Sequence, residues 1–215
     1  MNYKEILKNR CVQEQYNEID KINPFPFNHG LKHVQNVCKI MEKLCNVLKI
    51  NGEKKEALLI ACALHDIGQV DGREKHGLKA KEFTIRMFSS EIEKNPFALD
   101  ILDSIEKHDD LCSIDKSLFC ILVQFCDKMD FSKERLENNY REKFRYYCYE
   151  DILKINFIYD MKEFGIDIVT NDIHEFESKF LSENFSKKVI NAVEILATKL
   201  NCNPFIMVNG KKLEY

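Results

Sequence analysis

Apolar residues recur at three- and four-residue intervals along most of the chain, a period that predicts about eight helical segments, all but one of them within the first 150 positions. The first should span 3–21 and end before a turn at Pro24 and Pro26. Asn28 can cap a second helix reaching position 49, and Asn51-Gly52 can stop it before a third begins near Glu53. Further helices are expected at 76–90, 96–108, 115–129 and 132–148. The period then changes. Residues 154–159 (KINFIY) and 165–170 (GIDIVT) alternate as strands do, across a short polar connection, which predicts a β-hairpin. A helix over 173–200 with a break near Asn184 leads to PFIMVNGK at 204–211, where Asn209-Gly210 marks a turn and the apolar run a further strand. The fold class expected is mainly α: a helical domain over 1–149, with a small α+β extension over 150–215 packed on its core.

Composition narrows the picture. The 215 residues contain only 7 Gly and 4 Pro, which disfavours a turn-rich β architecture. The formal charge of −3 is spread along the chain, so nucleic acid is not the expected partner. No apolar run approaches the roughly 20 residues of a membrane span, and MNYKEILKNR has no signal-peptide core, so a cytoplasmic protein is expected. The 9 cysteines form no C-x-x-C pair, and Cys38, Cys45, Cys62, Cys120 and Cys126 fall in apolar stretches, as reduced core residues do.

Candidate chemistry appears when the histidines are placed on the helices. His33 shares a stripe with Val37, Ile40, Met41 and Leu44. His65 and Asp66 end a segment, ALLIACALHD, that is apolar on nearly every side. His76 precedes Leu78, Ala80, Phe83 and Met87, His108 closes a stripe with Ile101 and Ile105, and Asp127 follows the apolar run LFCILVQFC. Unpaired imidazoles and carboxylates are costly to bury, and a metal is the economical partner. Four imidazoles and two carboxylates suit Fe or Mn first, and also Ni, Co, Zn or Mg. A carboxylate between two imidazole-rich half-sites can bridge two ions.

These pieces occur in order: H-x-x-x-V at His33, His65-Asp66 within ALHDIGQ, His76 in HGLKA, SIEKH ending at His108, and Asp127-Lys128 in FCDKMD. The series resembles the HD-domain superfamily over roughly residues 29–135. Its spacing looks most like that of bacterial HD-domain hydrolases that cleave diadenosine tetraphosphate. The resemblance implies a metal-dependent phosphohydrolase with one or two divalent ions per chain, acting on a small, nucleotide-like phosphorylated substrate through a metal-activated water. His33, His65, Asp66 and Asp127 would form the first metal site, and Asp66 would bridge to a second ion held by His76 and His108. Asp66 and Asp127 would be the catalytic carboxylates, with Lys128, Lys81 and Arg73 reaching a phosphate from the rim. Two positions depart from the pattern: Gln69 stands where many hydrolytic members place a Lys, and Asp109 where several two-metal members carry another His.

Two other functions fit the same ligands. One is a di-iron oxygenase, which needs a closed pocket rather than an open one walled by cations. The other is a non-catalytic module stapled by metal, with the extension plugging the site and binding a partner. His29, one helical turn before His33, is expected near the site but outside the ligand set, and His174 on the surface. Tyr140, Phe144, Tyr146, Tyr147 and Tyr149 are expected to pack between core and extension, and Arg135, Arg141 and Arg145 to form a solvated face. The sequence leaves the oligomeric state open.

Overall fold

The computed structural model describes residues 1–22, 27–110, 113–131, 135, 151–171, 173–182 and 184–215, apart from the side chains of 173–175 and 184. The expected helix at 132–148, the aromatic cluster at 140–149, Arg141, Arg145, Pro24, Pro26 and the His174 side chain lie outside that set.

The expected first helix is two, α1 (Tyr3–Lys8) and α2 (Arg10–Ile22). Asn9 breaks it: its backbone is extended and its side chain accepts from the Cys11 amide at 2.9 Å, which starts a new helix. α3 (Leu31–Val47) begins at Gly30 rather than at Asn28, whose side chain instead accepts from the Gly30 amide. α4 (Gly52–Leu64) is buried on every side from Ala57 to Leu64, as a helix apolar all round must be. A 3-10 turn (Ile67–Asp71) follows, then α5 (His76–Glu93), α6 (Ala98–Lys107) and α7 (Leu118–Lys128). α4 packs against α1, α3, α6 and α7.

Beyond residue 150 the predicted hairpin is present as β1 (Ile152–Tyr159) antiparallel to β2 (Glu163–Thr170). α8 (Ile173–Ser182) and α9 (Asn184–Lys199) follow, with the break where the sequence places it. β3 (Asn203–Val208) then lies parallel to β2, the two helices supplying the crossover that parallel pairing requires. Asn209 and Gly210, both at positive φ, turn the chain into β4 (Lys211–Lys212), giving a sheet ordered β1-β2-β3-β4. The molecule is mainly α with one small sheet. Helices and sheet share one buried core: α9 packs on α7, β2 and β3, and the Phe125 ring of α7 meets Phe164 of β2 at 5.6 Å between centroids.

Among the described residues, Cys38, Cys45, Cys62, Cys120, Cys126 and Cys202 are free and buried, as expected for core thiols, and Cys11 is exposed. No described helix is long and apolar enough to cross a membrane.

Candidate metal centre

The six residues singled out as ligands come from five helices and meet at one buried point. His33 lies in the first turn of α3 and His76 opens α5, while His65-Asp66 and His108 directly follow α4 and α6, and Asp127 is in the last turn of α7. Three helix C-termini therefore converge there. Their unsatisfied carbonyls carry partial negative charge, which favours a cation at the junction.

Each of these ends is fixed by a side chain from elsewhere. The buried Tyr16 hydroxyl donates to the Ala63 carbonyl at 2.8 Å, holding the last turn of α4. Gln124 of α7 donates to the Lys107 and Asp110 carbonyls at 2.9 and 3.0 Å, fixing the turn that carries His108. Arg135 donates to the Asp127 and Asp130 carbonyls at 3.2 and 3.0 Å, closing α7.

Two glycines let these ends approach. A Cβ on Gly68 would lie 2.1 Å from the His76 carbonyl oxygen, and one on Gly77 would lie 2.2 Å from that of Glu106. Backbone cannot swing aside, so any side chain at either position would force apart the 3-10 turn, the start of α5 and the end of α6.

The imidazoles are oriented from behind. His65, His76 and His108 each donate Nδ1–H to the carbonyl three residues earlier, on Cys62, Arg73 and Ile105, at 2.7–2.8 Å. His33 Nδ1 meets Asp130 Oδ2 at 2.6 Å. These bonds fix the tautomer and leave each Nε2 lone pair facing inward, the usual arrangement behind a metal-binding imidazole.

Asp66 sits between two groups of nitrogens. Its Oδ2 is 3.5 Å from Nε2 of both His33 and His65, and its Oδ1 is 3.1 and 3.5 Å from Nε2 of His108 and His76. Asp127 Oδ1 faces the first group, at 3.2 Å from His33 Nε2 and 3.8 Å from that of His65. The residues fit a cation on two counts. His33 Nε2 and His65 Nε2 are fully buried and have no hydrogen-bond partner among the described residues. The His76 and His108 Nε2 atoms lie 2.9 Å apart. Two inward lone pairs repel at that distance, whereas cis ligands of one ion with bonds of about 2.0–2.1 Å stand about 3 Å apart.

Burial opposes charge on both carboxylates, yet His65, His29 and His108 hold Asp66 well below the usual carboxylate range. Lys128, His33, His65 and Arg135 do the same for Asp127. Burial also works against the Lys128 ammonium, but Asp127, 2.6 Å away, outweighs it and raises Lys128 above the usual lysine value. Burial pulls His29 down to about 4, against the pull of Asp66.

A cavity of about 100 Å³ lies over this centre, lined by Asp66, Asp127, His76 and His108, by Phe27, His29, Gln69 and Asp109, and by Arg73, Lys128, Arg135 and Lys188, with Phe185. Two of the three expected rim cations, Arg73 and Lys128, are therefore at the site. Lys81 is not: it pairs with Glu106 at 2.6 Å on the α5–α6 face and does not line the cavity. Arg135, expected on a solvated face, is buried, with its guanidinium 5.8 Å from the Phe27 ring centroid. His29 is closer than expected, with Nδ1 2.8 Å from Asp66 Oδ2 and 3.1 Å from the Gln69 carboxamide. At the two departures from the pattern, Gln69 lines the cavity uncharged, and the half-exposed Asp109 reaches within 3.9 Å of His76 Nδ1, on the outer side of that ring.

Sequence reasoning missed Asp130, Phe27, Phe185 and Lys188. Asp130 left a trace, a second acid three residues after Asp127 in FCDKMD. The other three left none, because their positions depend on packing between distant segments.

Comparison with known families agrees with this geometry. The HD domain family matches residues 30–132, just under half of the chain and the span that carries all six ligand candidates. That segment matches the HD domain and carries a His/Asp cluster able to hold metal. A search of curated proteins found no match.

Proposed function

We propose that the protein is a metal-dependent phosphohydrolase that cleaves a phosphoester or phosphoanhydride of a small, nucleotide-like substrate. The observation that carries this reading is the cavity: Asp66, Asp127, His76 and His108 line its floor, and Arg73, Lys128 and Arg135 its walls. Cations around an open acidic floor suit a phosphate, whose charge grows as it reacts. The oxygenase alternative calls instead for a closed pocket. The plugged, partner-binding alternative is disfavoured because the described residues leave a cavity over the cluster, with the exposed Asp109 and Lys188 in its lining.

In this reading His33, His65, Asp66 and Asp127 would hold one ion, and His76, His108 and Asp66 the other. Fe or Mn suits a donor set this rich in imidazole and carboxylate. Divalent ions at these positions lower the pKa of a coordinated water and offset charge on the phosphoryl oxygens. The protein's part is orientation. Asp66 fixes the two half-sites relative to each other, Lys128 screens Asp127 from the incoming anion, Arg73 meets phosphate oxygens, and Arg135, held by the Asp127 and Asp130 carbonyls, adds positive charge to the wall.

The test is metal analysis of aerobically and anaerobically purified protein, paired with phosphate release from nucleoside mono-, di- and triphosphates and dinucleoside polyphosphates. Turnover abolished by His65→Ala and by Asp66→Ala is expected. Bound iron with oxygen consumption and no phosphate release would support the oxygenase instead, and protein that never retains metal would remove the site.

A further inference from the structure

The cavity over the metal centre is not built by the HD segment alone. α9 contributes Phe185 and Lys188, three residues apart and so on one side of the helix. The neighbouring Ser186 and Val189 are buried and seat the helix, whose body packs on α7. Phe185 meets Phe131, just past α7, at 5.6 Å between ring centroids, which fixes the first turn of α9 at the mouth.

The cations lining the cavity are not equivalent. Lys128 is committed to the Asp127 carboxylate at 2.6 Å, and Arg135 to two backbone carbonyls. Lys188 is exposed and has no ion pair or hydrogen bond among the described residues. It stands at the solvent end of a cavity whose other end is the buried His/Asp cluster. A phosphate reacting at the floor is thus separated from Lys188 by the depth of the pocket, while a second anionic group of the same substrate would reach it. Phe27 and Phe185 offer apolar surface beside that path.

From this arrangement we infer that Lys188 is a substrate-positioning residue that engages a second, non-reacting phosphate, so that the enzyme selects compounds with at least two linked phosphates over monophosphates. The inference rests on the hydrolase reading and deepens it, assigning part of the recognition to the C-terminal segment.

The test uses the full chain loaded with Mn(II) and two probes, imidodiphosphate, in which nitrogen replaces the bridging oxygen and blocks hydrolysis, and orthophosphate. Calorimetric titration of wild type should show tighter binding of imidodiphosphate. Lys188→Ala should weaken imidodiphosphate roughly tenfold, the loss of one charge-assisted hydrogen bond, and leave orthophosphate within about twofold. Lys188→Arg should restore most of the difference, which a merely structural role for Lys188 would not predict. The Mn content of each variant is measured alongside. Wild type that binds both probes, with neither affinity changed by Lys188→Ala or both weakened equally, would overturn the assignment and leave the hydrolase reading standing. Mn-loaded wild type that binds neither probe would overturn both.

Discussion

Gly77→Ala separates the two halves of the site without touching a ligand. The new Cβ would stand 2.2 Å from the Glu106 carbonyl oxygen, 3.0 Å from its carbon and 3.1 Å from the Ile105 carbonyl oxygen. A carbon–oxygen contact relaxes at about 3.3 Å, so the start of α5 must move off the end of α6 by about 1 Å. His76 and His108 ride on those two segments, and their Nε2 atoms are 2.9 Å apart. Metal–nitrogen bonds of about 2 Å tolerate about 0.2 Å of misplacement, so a shift of that size disables the second half-site. His33, His65 and Asp127 belong to α3, α4 and α7 and should stay in place. Overpacking costs about 1–3 kcal/mol and alanine's better helix propensity returns about 1 kcal/mol, so the variant stays folded. Calorimetric titration of the metal-free protein with Mn(II) should fall from two ions per chain to one, with Tm lower by a few degrees. Two ions bound with unaltered affinity would refute the assignment of His76 and His108 to one ion beside Gly77.

Three further outcomes are expected. Asp130→Asn leaves His33 Nδ1 a neutral acceptor in place of a carboxylate at 2.6 Å, and should weaken metal binding about tenfold with the circular dichroism spectrum unchanged; equal affinity would show that Asp130 does not support His33. Metal present at a hundredfold its Kd should stabilise the fold by about 2.7 kcal/mol, a rise of about 5–10 °C in Tm that a chelator reverses, and no shift would mean that the cluster holds no ion. Burial pushes the Cys45 thiol up to about 11 and those of Cys38, Cys62 and Cys126 higher still, so peptide mapping after iodoacetamide at pH 8 should find all four unmodified in the native protein. Alkylation of Cys62 without unfolding would contradict the packing around α4.

The ligand candidates were legible because each breaks a local pattern. His65 and Asp66 end the most completely buried helix, and Asp127 ends the α7 run from Phe119 that is buried throughout. A polar group at such a place must find a partner, and that demand can be read without knowing the fold. The hairpin and the α8–α9 break were legible for similar reasons, since strand alternation and helix interruption are written in neighbouring residues. The α1–α2 break was not. Asn9 is a tolerated helix residue and also a good cap, and the outcome depends on α1 and α2 packing separately, α1 on α4 and α2 on the 3-10 turn and α3.

What escaped the sequence is the set of residues whose role comes from another segment. Lys81 and Lys188 read alike, each a lysine on a helix near apolar neighbours. The first is taken up by Glu106, 25 positions away, while the second is carried to the cavity because α9 crosses α7 to complete a parallel β2–β3 pair. Arg135 belongs with them. Its surroundings in the chain are polar, but its guanidinium is drawn inward by carbonyls left open at the end of α7 and by the Asp127 carboxylate 3.5 Å away. A helix end that presents ligands also presents unsatisfied carbonyls, and a buried one must recruit donors. Tyr16, Gln124 and Arg135 are therefore consequences of the same architecture that gathers the histidines. Loss of any of these three donors should loosen the centre by freeing the helix end that it holds.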